Sequence, residues 1–213
     1  MIAVGALVSG AGTNLQAIID RAAAGRLDCD IRIVISNRPE AEGLRRAARA
    51  GIATRVVDHR GLPTREDFDR AVVRVLREAR VDLVVLAGFD RLITPLFLDA
   101  FPLRIMNIHP ALLPSFKGLH AQRQAIEYGV KIAGASVHLV DQDTDHGPLI
   151  VQGAVPVAPD DTAETLRDRI LAVEHEIYPL AIQLFAEGRL RVDGRRVVVD
   201  GPRPPLPPPL VWW

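Results

Sequence analysis

The sequence predicts an α/β fold, a doubly wound and mostly parallel sheet closed by a C-terminal helix and hairpin. Two observations predict it. Short β-branched runs alternate with helical stretches through the first half of the chain, the order that right-handed strand–helix–strand crossovers require. Leu83 to Ala87 is an unbroken apolar run, the pattern of a strand buried on both faces of a parallel sheet. Together they give a Rossmann-like architecture.

The elements follow in order. Ile2 to Val8 reads as a buried strand and Thr13 to Ala24 as a helix with Leu15, Ile18 and Ile19 on one face,. Ile31 to Ile35 is the next strand, then a helix from about Ala41 to Ala50 ends at Gly51, a suitable residue just past a helix C-terminus,. Ala53 to Val57 is a third strand. After Gly61 and Pro63, Glu66 to Ala79 places Phe68, Val72, Val75 and Leu76 at helical spacing,. Arg104 to Ile108 is strand-like, and Pro110, Pro114 and Gly118 make the stretch after it an irregular loop,. Ala135 to Val140 and Leu149 to Val157 are strands joined by the polar loop Asp141 to Pro148. Asp161 and Glu164 mark the start of a long helix that Pro179 should kink. Arg191 to Asp200 reads as a hairpin turning at Asp193-Gly194,. One domain over residues 1–200 is expected, followed by a proline-rich tail at 201–213 in which Trp212 and Trp213 either stay solvated or dock,.

Composition narrows the function. The formal net charge of +0 leaves no global field to draw in nucleic acid or anionic lipid,, so an anionic ligand needs a local site. Cys29 is the single cysteine, which excludes an intramolecular disulfide,. The N-terminus lacks the basic segment of a secretion signal,, and no apolar run reaches the roughly 18 residues that span a bilayer. A cytoplasmic protein is expected.

Ser9-Gly10-Ala11-Gly12-Thr13-Asn14 lies between the first strand and first helix. Glycines there let backbone approach a ligand, and the helix N-terminus offers unpaired N–H donors, a setting for phosphate. No Gly-Lys-Ser/Thr follows, so it is not a P-loop, and Leu15 takes the place of the third glycine of a dinucleotide loop,. A monophosphate fits best. A dinucleotide keeps some support from Arg38, placed to meet a 2′-phosphate, and a ligand-free tight turn is the third reading.

Met106-Asn107-Ile108-His109-Pro110 closes a predicted strand, where open α/β sheets place their sites,. Strand alternation puts Asn107 and His109 on one side. An amide donor and an imidazole aimed at one point suit an oxyanion, the need of acyl transfer, although a lone histidine on a strand is more often structural. A carboxylate from the Asp141 to Pro148 loop, if near His109, would raise its pKa and favour the imidazolium; taken alone, Asp141, Asp143 and Asp145 read better as turn chemistry or a solvated acidic loop. His138 and His146 near these acids raise a metal reading, but no compact ligand spacing is present and no metal is expected,.

The motifs SGAGTN at Ser9, SN at Ser36, VVLAGFDRL at Val84, NIHPALLP at Asn107, GLHAQRQA at Gly118, SVHLVDQDTDHGP at Ser136 and EHEIYP at Glu174 resemble, in order, those of the glycinamide ribonucleotide formyltransferases, folate-dependent enzymes of purine synthesis. The likeness runs from Ile2 to about Leu190. It implies a formyltransferase fold with a nucleotide-phosphate half near residues 1–100 and a folate and catalytic half near 101–200. It implies transfer of the formyl group of 10-formyltetrahydrofolate to glycinamide ribonucleotide, with Asn107, His109 and Asp145 catalytic. Gly12, Thr13 and Asn14 would hold the ribonucleotide phosphate, and Glu174 the glycinamide portion. Arg91, Leu92 and Ile93 would line the folate pocket, Arg65 would meet the folate's outer end, and Asp141, Gln142, Asp143, Thr144 and Asp145 would embrace the pterin through their backbone. Asp90 belongs to the same wall but stands where the family often has Met, which leaves its side-chain contribution in doubt. His120 and His138 match family positions without an assigned role.

Rivals share parts of this pattern. Formyltetrahydrofolate deformylases use the same folate site but usually add an N-terminal regulatory domain, not expected before a first strand at Ile2, and a second His where Pro110 stands. Methionyl-tRNA formyltransferases add an RNA-binding domain for which 213 residues leave no room. A non-catalytic NADP-binding module would use the glycine loop and Arg38 but leave Asn107, His109 and Asp145 unexplained. The partners implied are the two small substrates, with no nucleic acid and no membrane, for a monomer or homodimer.

Overall fold

The computed structural model describes residues 1–202; the remaining residues, which include most of the expected tail and Trp212 and Trp213, lie outside the described part. One sheet organises the chain, with strands β1 (Ile2–Val8), β2 (Cys29–Ser36), β3 (Thr54–Val56), β4 (Leu83–Leu86), β5 (Ile105–His109), β6 (Ile132–Leu139), β7 (Leu149–Pro156), β8 (Leu190–Asp193) and β9 (Arg196–Val199). Their order is β3-β2-β1-β4-β5-β6-β7-β9-β8. β3, β2, β1, β4 and β5 pair in parallel, and β6 then runs antiparallel to both β5 and β7. The expected α/β class and mostly parallel sheet are found.

Helices cover both faces. On one lie α1 (Thr13–Ala23), α2 (Glu42–Arg49), α5 (Ala121–Tyr128) and α6 (Ala163–Ala186), whose Leu15, Ile18, Leu44, Ala125, Leu166 and Ile182 join a core with Val4, Val85 and Val137. On the other, α3 (Arg65–Glu78) and α4 (Pro95–Ala100) pack Phe68, Val72, Leu76 and Phe97 against Leu7, Ile35 and Val84. Alternate residues of β1 and β4 therefore feed opposite cores, the reason both strands are apolar throughout.

Three details differ from the sequence reading: two added helices, the residue that caps α6 and the position of the hairpin turn. α4 and α5 fall where no helix was predicted: α4 is six residues long, and α5 buries only Ala121 and Ala125, too little periodic apolar signal to read,. α6 starts where Asp161 and Glu164 mark it, with Glu164 in its first turn, and its cap is Thr162, whose hydroxyl accepts from Thr165 N–H while Thr165 returns the bond,. Asp161 instead takes the Ala158 N–H and the Arg169 guanidinium. The helix then continues unbroken through Pro179. The hairpin turns one residue later than expected, at Gly194-Arg195, because Asp193 pairs with Arg196, and Gly194 takes the positive φ of 57° that the turn demands,.

Among the described residues no helix is long and apolar enough to cross a membrane.

Tyr178 fixes α6 to the part of the sheet that carries Asn107. Its buried hydroxyl donates to the carbonyls of Leu86 and Met106, both at 3.0 Å, at the ends of β4 and β5 where Leu86 sits opposite Asn107. Tyr178→Phe leaves those two carbonyls short of a donor and should cost about 1–3 kcal/mol of stability, read by chemical denaturation; an unchanged midpoint would show that the hydroxyl holds nothing.

Candidate active site

Parallel pairing brings several chain exits together. β1 ends into the glycine loop, and Ser9 N–H donates to the Gly88 carbonyl at 2.9 Å just past β4. The segment after β4, which holds Asp90 to Ile93, thus lies between the glycine loop and β5. The loop from Asp141 to Gly147 leaves β6 beside Ile105, where Val140 N–H donates to the Ile105 carbonyl at 2.9 Å. It folds back over the face of β5 that displays Asn107 and His109, since Asp145 meets both.

Asn107, His109 and Asp145 come together as expected. His109 Nδ1 is 3.2 Å from Asp145 Oδ2, and Asn107 Nδ2 donates to Asp145 Oδ1 at a long 3.4 Å. Two backbone groups that the sequence did not flag complete the centre. Gly118 N–H donates to Asp145 Oδ2 at 2.9 Å, and the Phe116 carbonyl accepts from His109 Nε2 at 2.8 Å. Both belong to the irregular loop after β5.

His138 acquires a position here. It faces Asn107 across the β5–β6 pair, next to a register shift between β6 and β7, a type of irregularity that re-aims side chains near sites. Its Nδ1 donates to the Leu139 carbonyl at 2.9 Å, which leaves Nε2 as the acceptor for the Asn107 amide at 3.1 Å. One Asn107 N–H is thereby fixed, and the other keeps only its long contact with Asp145. His120, at the left-handed start of α5, is exposed.

The charge state of His109 corrects an expectation. Burial lowers its pKa, and this outweighs the lift from the Phe116 carbonyl and the Asp145 carboxylate. The ring is therefore neutral near neutral pH, not an imidazolium. The short contact at Nε2 is the N–H, and the longer one at Nδ1 is where a proton would add. Asp145 stays ionised: burial pushes its carboxyl up, but the His138 side chain, the Gly118 N–H and the electrostatic influence of His109 hold it below the usual carboxylate range.

At the glycine loop, Gly12 has φ 67° and a Cβ there would stand 2.6 Å from the Gly43 Cα, so only glycine lets the loop pack on α2. Thr13 opens α1, and the buried Asn14 donates from Nδ2 to Glu174 Oε2 at 2.7 Å. Asn14 Oδ1 has no partner among the described residues. Burial raises the Glu174 carboxyl, against the pull of the Asn14 amide. This pair, 160 residues apart, sets Glu174 beside the loop as expected.

Arg38 does not stand open for a 2′-phosphate: its guanidinium is paired with Asp90. Asp90 also accepts from Asn37 Nδ2 at 3.0 Å, and its N–H donates to Ser9 Oγ at 3.0 Å. The Asp90 side chain thus serves a network beneath the glycine loop. Arg91 lies over the Phe68 ring at 4.8 Å. Arg91 and Arg65 both bear on Asp69, a carboxyl raised by burial, so the arginine expected to line the folate pocket and the one expected at the folate's outer end share one corner. Leu92 is exposed and Ile93 half-buried; Gln142, Asp143 and Thr144 are exposed. Asp141 Oδ2 accepts from His146 Nδ1 at 2.8 Å. No group of three or more metal-ligating side chains is arranged for an ion among the described residues.

Comparison with known proteins gives the family. Residues 2–182 match the formyl transferase family. The chain is 44% identical over 202 residues to the phosphoribosylglycinamide formyltransferase of Escherichia coli K12, covering 95% of this chain and 94% of that one. It is 46% identical to part of the trifunctional purine biosynthetic protein adenosine-3 of Gallus gallus, spanning 19% of that longer protein and 90% of its own length. It superposes on the crystal structure of glycinamide ribonucleotide transformylase 1 from Symbiobacterium toebii with a TM-score of 0.93 and 55% identity, over 93% of this chain and 94% of that one.

The ring nuclei of His109, identified by their loss in His109→Asn, should titrate in NMR below the ordinary histidine value of about 6.5. Asp145→Asn should lower that midpoint further, because the carboxylate supports the charged ring. A midpoint at or above the ordinary value would contradict the burial argument.

Proposed function

The chain belongs to the formyl transferase family, and from that premise we propose that it transfers the formyl group of 10-formyltetrahydrofolate to the amine of glycinamide ribonucleotide, a step of purine synthesis. The products are formylglycinamide ribonucleotide and tetrahydrofolate. The observation that carries the reading is the convergence of Asn107, His109 and Asp145 on one face of β5, with the glycine loop and Glu174 close by across β4. Both substrates are small soluble anions, which fits a cytoplasmic enzyme working as a monomer or homodimer on a single domain.

Gly12, Thr13 and Asn14 receive the phosphate at the start of α1, and Glu174 takes the glycinamide portion. Arg65 and Arg91 meet the acidic end of the folate; Asp90, Leu92 and Ile93 form one wall; the backbone of Asp141, Gln142, Asp143, Thr144 and Asp145 encloses the pterin. The amine nitrogen attacks the formyl carbon, and the carbonyl electron pair moves onto oxygen. The second Asn107 N–H, held at rest only by the 3.4 Å contact, turns to that oxyanion. The proton leaving the amine passes, through a water, to Nδ1 of His109. The imidazolium then lies between the Asp145 carboxylate and the Phe116 carbonyl. Collapse of the intermediate breaks the bond to the folate nitrogen, which departs with the proton. Because His109 is neutral beforehand, its charge stabilises the transition state more than the ground state. Holding both substrates in line contributes in parallel.

Release of tetrahydrofolate should require glycinamide ribonucleotide; release without it would indicate a hydrolase, and none at all a binding module. Asn107→Ala and His109→Asn should each lower kcat by about 10²–10³ with smaller effects on KM. The working ring is neutral and its pKa is lowered, so kcat with both substrates saturating should fall on an acid limb below about pH 6.5; an alkaline-side loss of the protonated ring would sink this assignment. Glu174→Ala should raise KM for the ribonucleotide and leave that for the folate unchanged.

A further inference from the structure

We infer that Arg195, in the turn of the C-terminal hairpin, is a positioning residue for this reaction: it clamps the Asp141 to Gly147 loop and so holds Asp145 against His109. The inference rests on the transfer activity proposed above.

The loop has a tight neck and a strained tip. Leu139 N–H donates to the Pro148 carbonyl at 2.9 Å, and a Cβ on Gly147 would stand 1.8 Å from the Leu139 carbonyl oxygen, so the two ends are pressed together. Asp145 itself has φ 47°, a left-handed conformation that a side-chain-bearing residue keeps only when its surroundings hold it. On the inner side the holding groups are Gly118 N–H and His109.

On the outer side there is one tie. Arg195 Nη2 donates to the His146 carbonyl at 2.6 Å, immediately after Asp145, and Nη1 lies against the imidazole, 2.9 Å from Nε2 and 3.2 Å from Nδ1. The ring in turn meets Asp141 Oδ2 through Nδ1 at 2.8 Å. The chain Arg195–His146–Asp141 therefore bridges the loop from its last turn to its first residue. The guanidinium reaches this position because the next residue, Arg196, is fixed in the sheet opposite Leu149, while Arg189 closes the hairpin base through the carbonyls of Asp200 and Pro202. Behind the loop lies a cavity of about 310 Å³ lined by Lys117, Leu149, Asp145 and Arg195. On that side the guanidinium holds the loop at His146, the residue next to Asp145. Its plane meets a carbonyl and an imidazole together, which an ammonium cannot reproduce.

The test uses the full chain with Arg195→Ala, Arg195→Lys, His146→Ala and the double variant, and Arg191→Ala as a hairpin control. Arg195→Ala should lower kcat about tenfold and raise KM for 10-formyltetrahydrofolate, with KM for the ribonucleotide and the melting temperature unchanged. Arg195→Lys should recover part of the loss, and Arg191→Ala should match wild type. Losses from Arg195→Ala and His146→Ala should be less than additive, because they break one chain of contacts. Amide hydrogen exchange over residues 141–147 should accelerate in Arg195→Ala alone among the two arginine-to-alanine variants, a readout independent of turnover. Unchanged loop exchange, or wild-type kinetics in Arg195→Ala, overturns the clamp. Faster loop exchange in a protein whose wild type transfers no formyl group would overturn the proposed reaction and leave the clamp as a structural fact.

Discussion

The Asp145 carboxylate is the constraint on which this site depends. It is nearly buried, and a buried anion is tolerated only when its oxygens are met by donors. Two pieces of chain supply them, the Asn107 amide from β5 and the Gly118 N–H from the loop that follows, and His109 Nδ1, 3.2 Å away, joins them when the ring takes up a proton. Each donor group is placed by another contact. His138 turns the Asn107 amide, the Phe116 carbonyl turns the His109 ring, and the loop that carries Asp145 is tied at its neck. Removing the carboxylate would free the Asn107 and Gly118 donors and leave the His109 ring without its anion, so the shape of the centre and its charge are one property.

The sheet makes that convergence possible by changing direction once. From β3 to β5 the strands are parallel, and their exits gather the glycine loop and residues 88–93 at one edge. β6 then returns antiparallel to β5, which sets His138 opposite Asn107. Its exit falls low on β5, and the loop must fold up over the strand's face to continue into β7. An all-parallel sheet would have sent that loop to the far edge. The reversal at β6 puts an acidic loop above an amide and an imidazole.

Much of the scaffold was legible because its signals are local. β4 is buried on both faces and reads as an apolar run, and α1 and α3 carry regular apolar stripes. α5 escaped notice because its buried face is two alanines. At the site, Asn107 and His109 were legible from alternation along one strand. The placing of Asp145, distant in sequence, came only with the family resemblance. The Phe116 carbonyl and Gly118 N–H are backbone groups in an irregular loop, and no side-chain pattern announces them. The charge of His109 was misread because a carboxylate neighbour can be inferred from sequence, whereas the depth of burial that outweighs it is a tertiary property.

The resting hydrogen bonds explain how such a site avoids being locked by its own satisfaction. A fully engaged set of donors would have to be broken before a formyl oxygen could use them, and strong contacts would add to the barrier. Here the contacts differ in length. The bonds that orient the groups are normal, at 3.1 Å from Asn107 to His138 and 2.8 Å from His109 to Phe116. The Asn107 contact with Asp145 is longer, 3.4 Å, and a lengthened contact is weak. In the reaction proposed above, an oxyanion would compete only for that weakly held N–H, whose direction the bond to His138 has already set. Orientation and availability are carried by different N–H groups of one amide, and that division lets a buried centre be both ordered and ready.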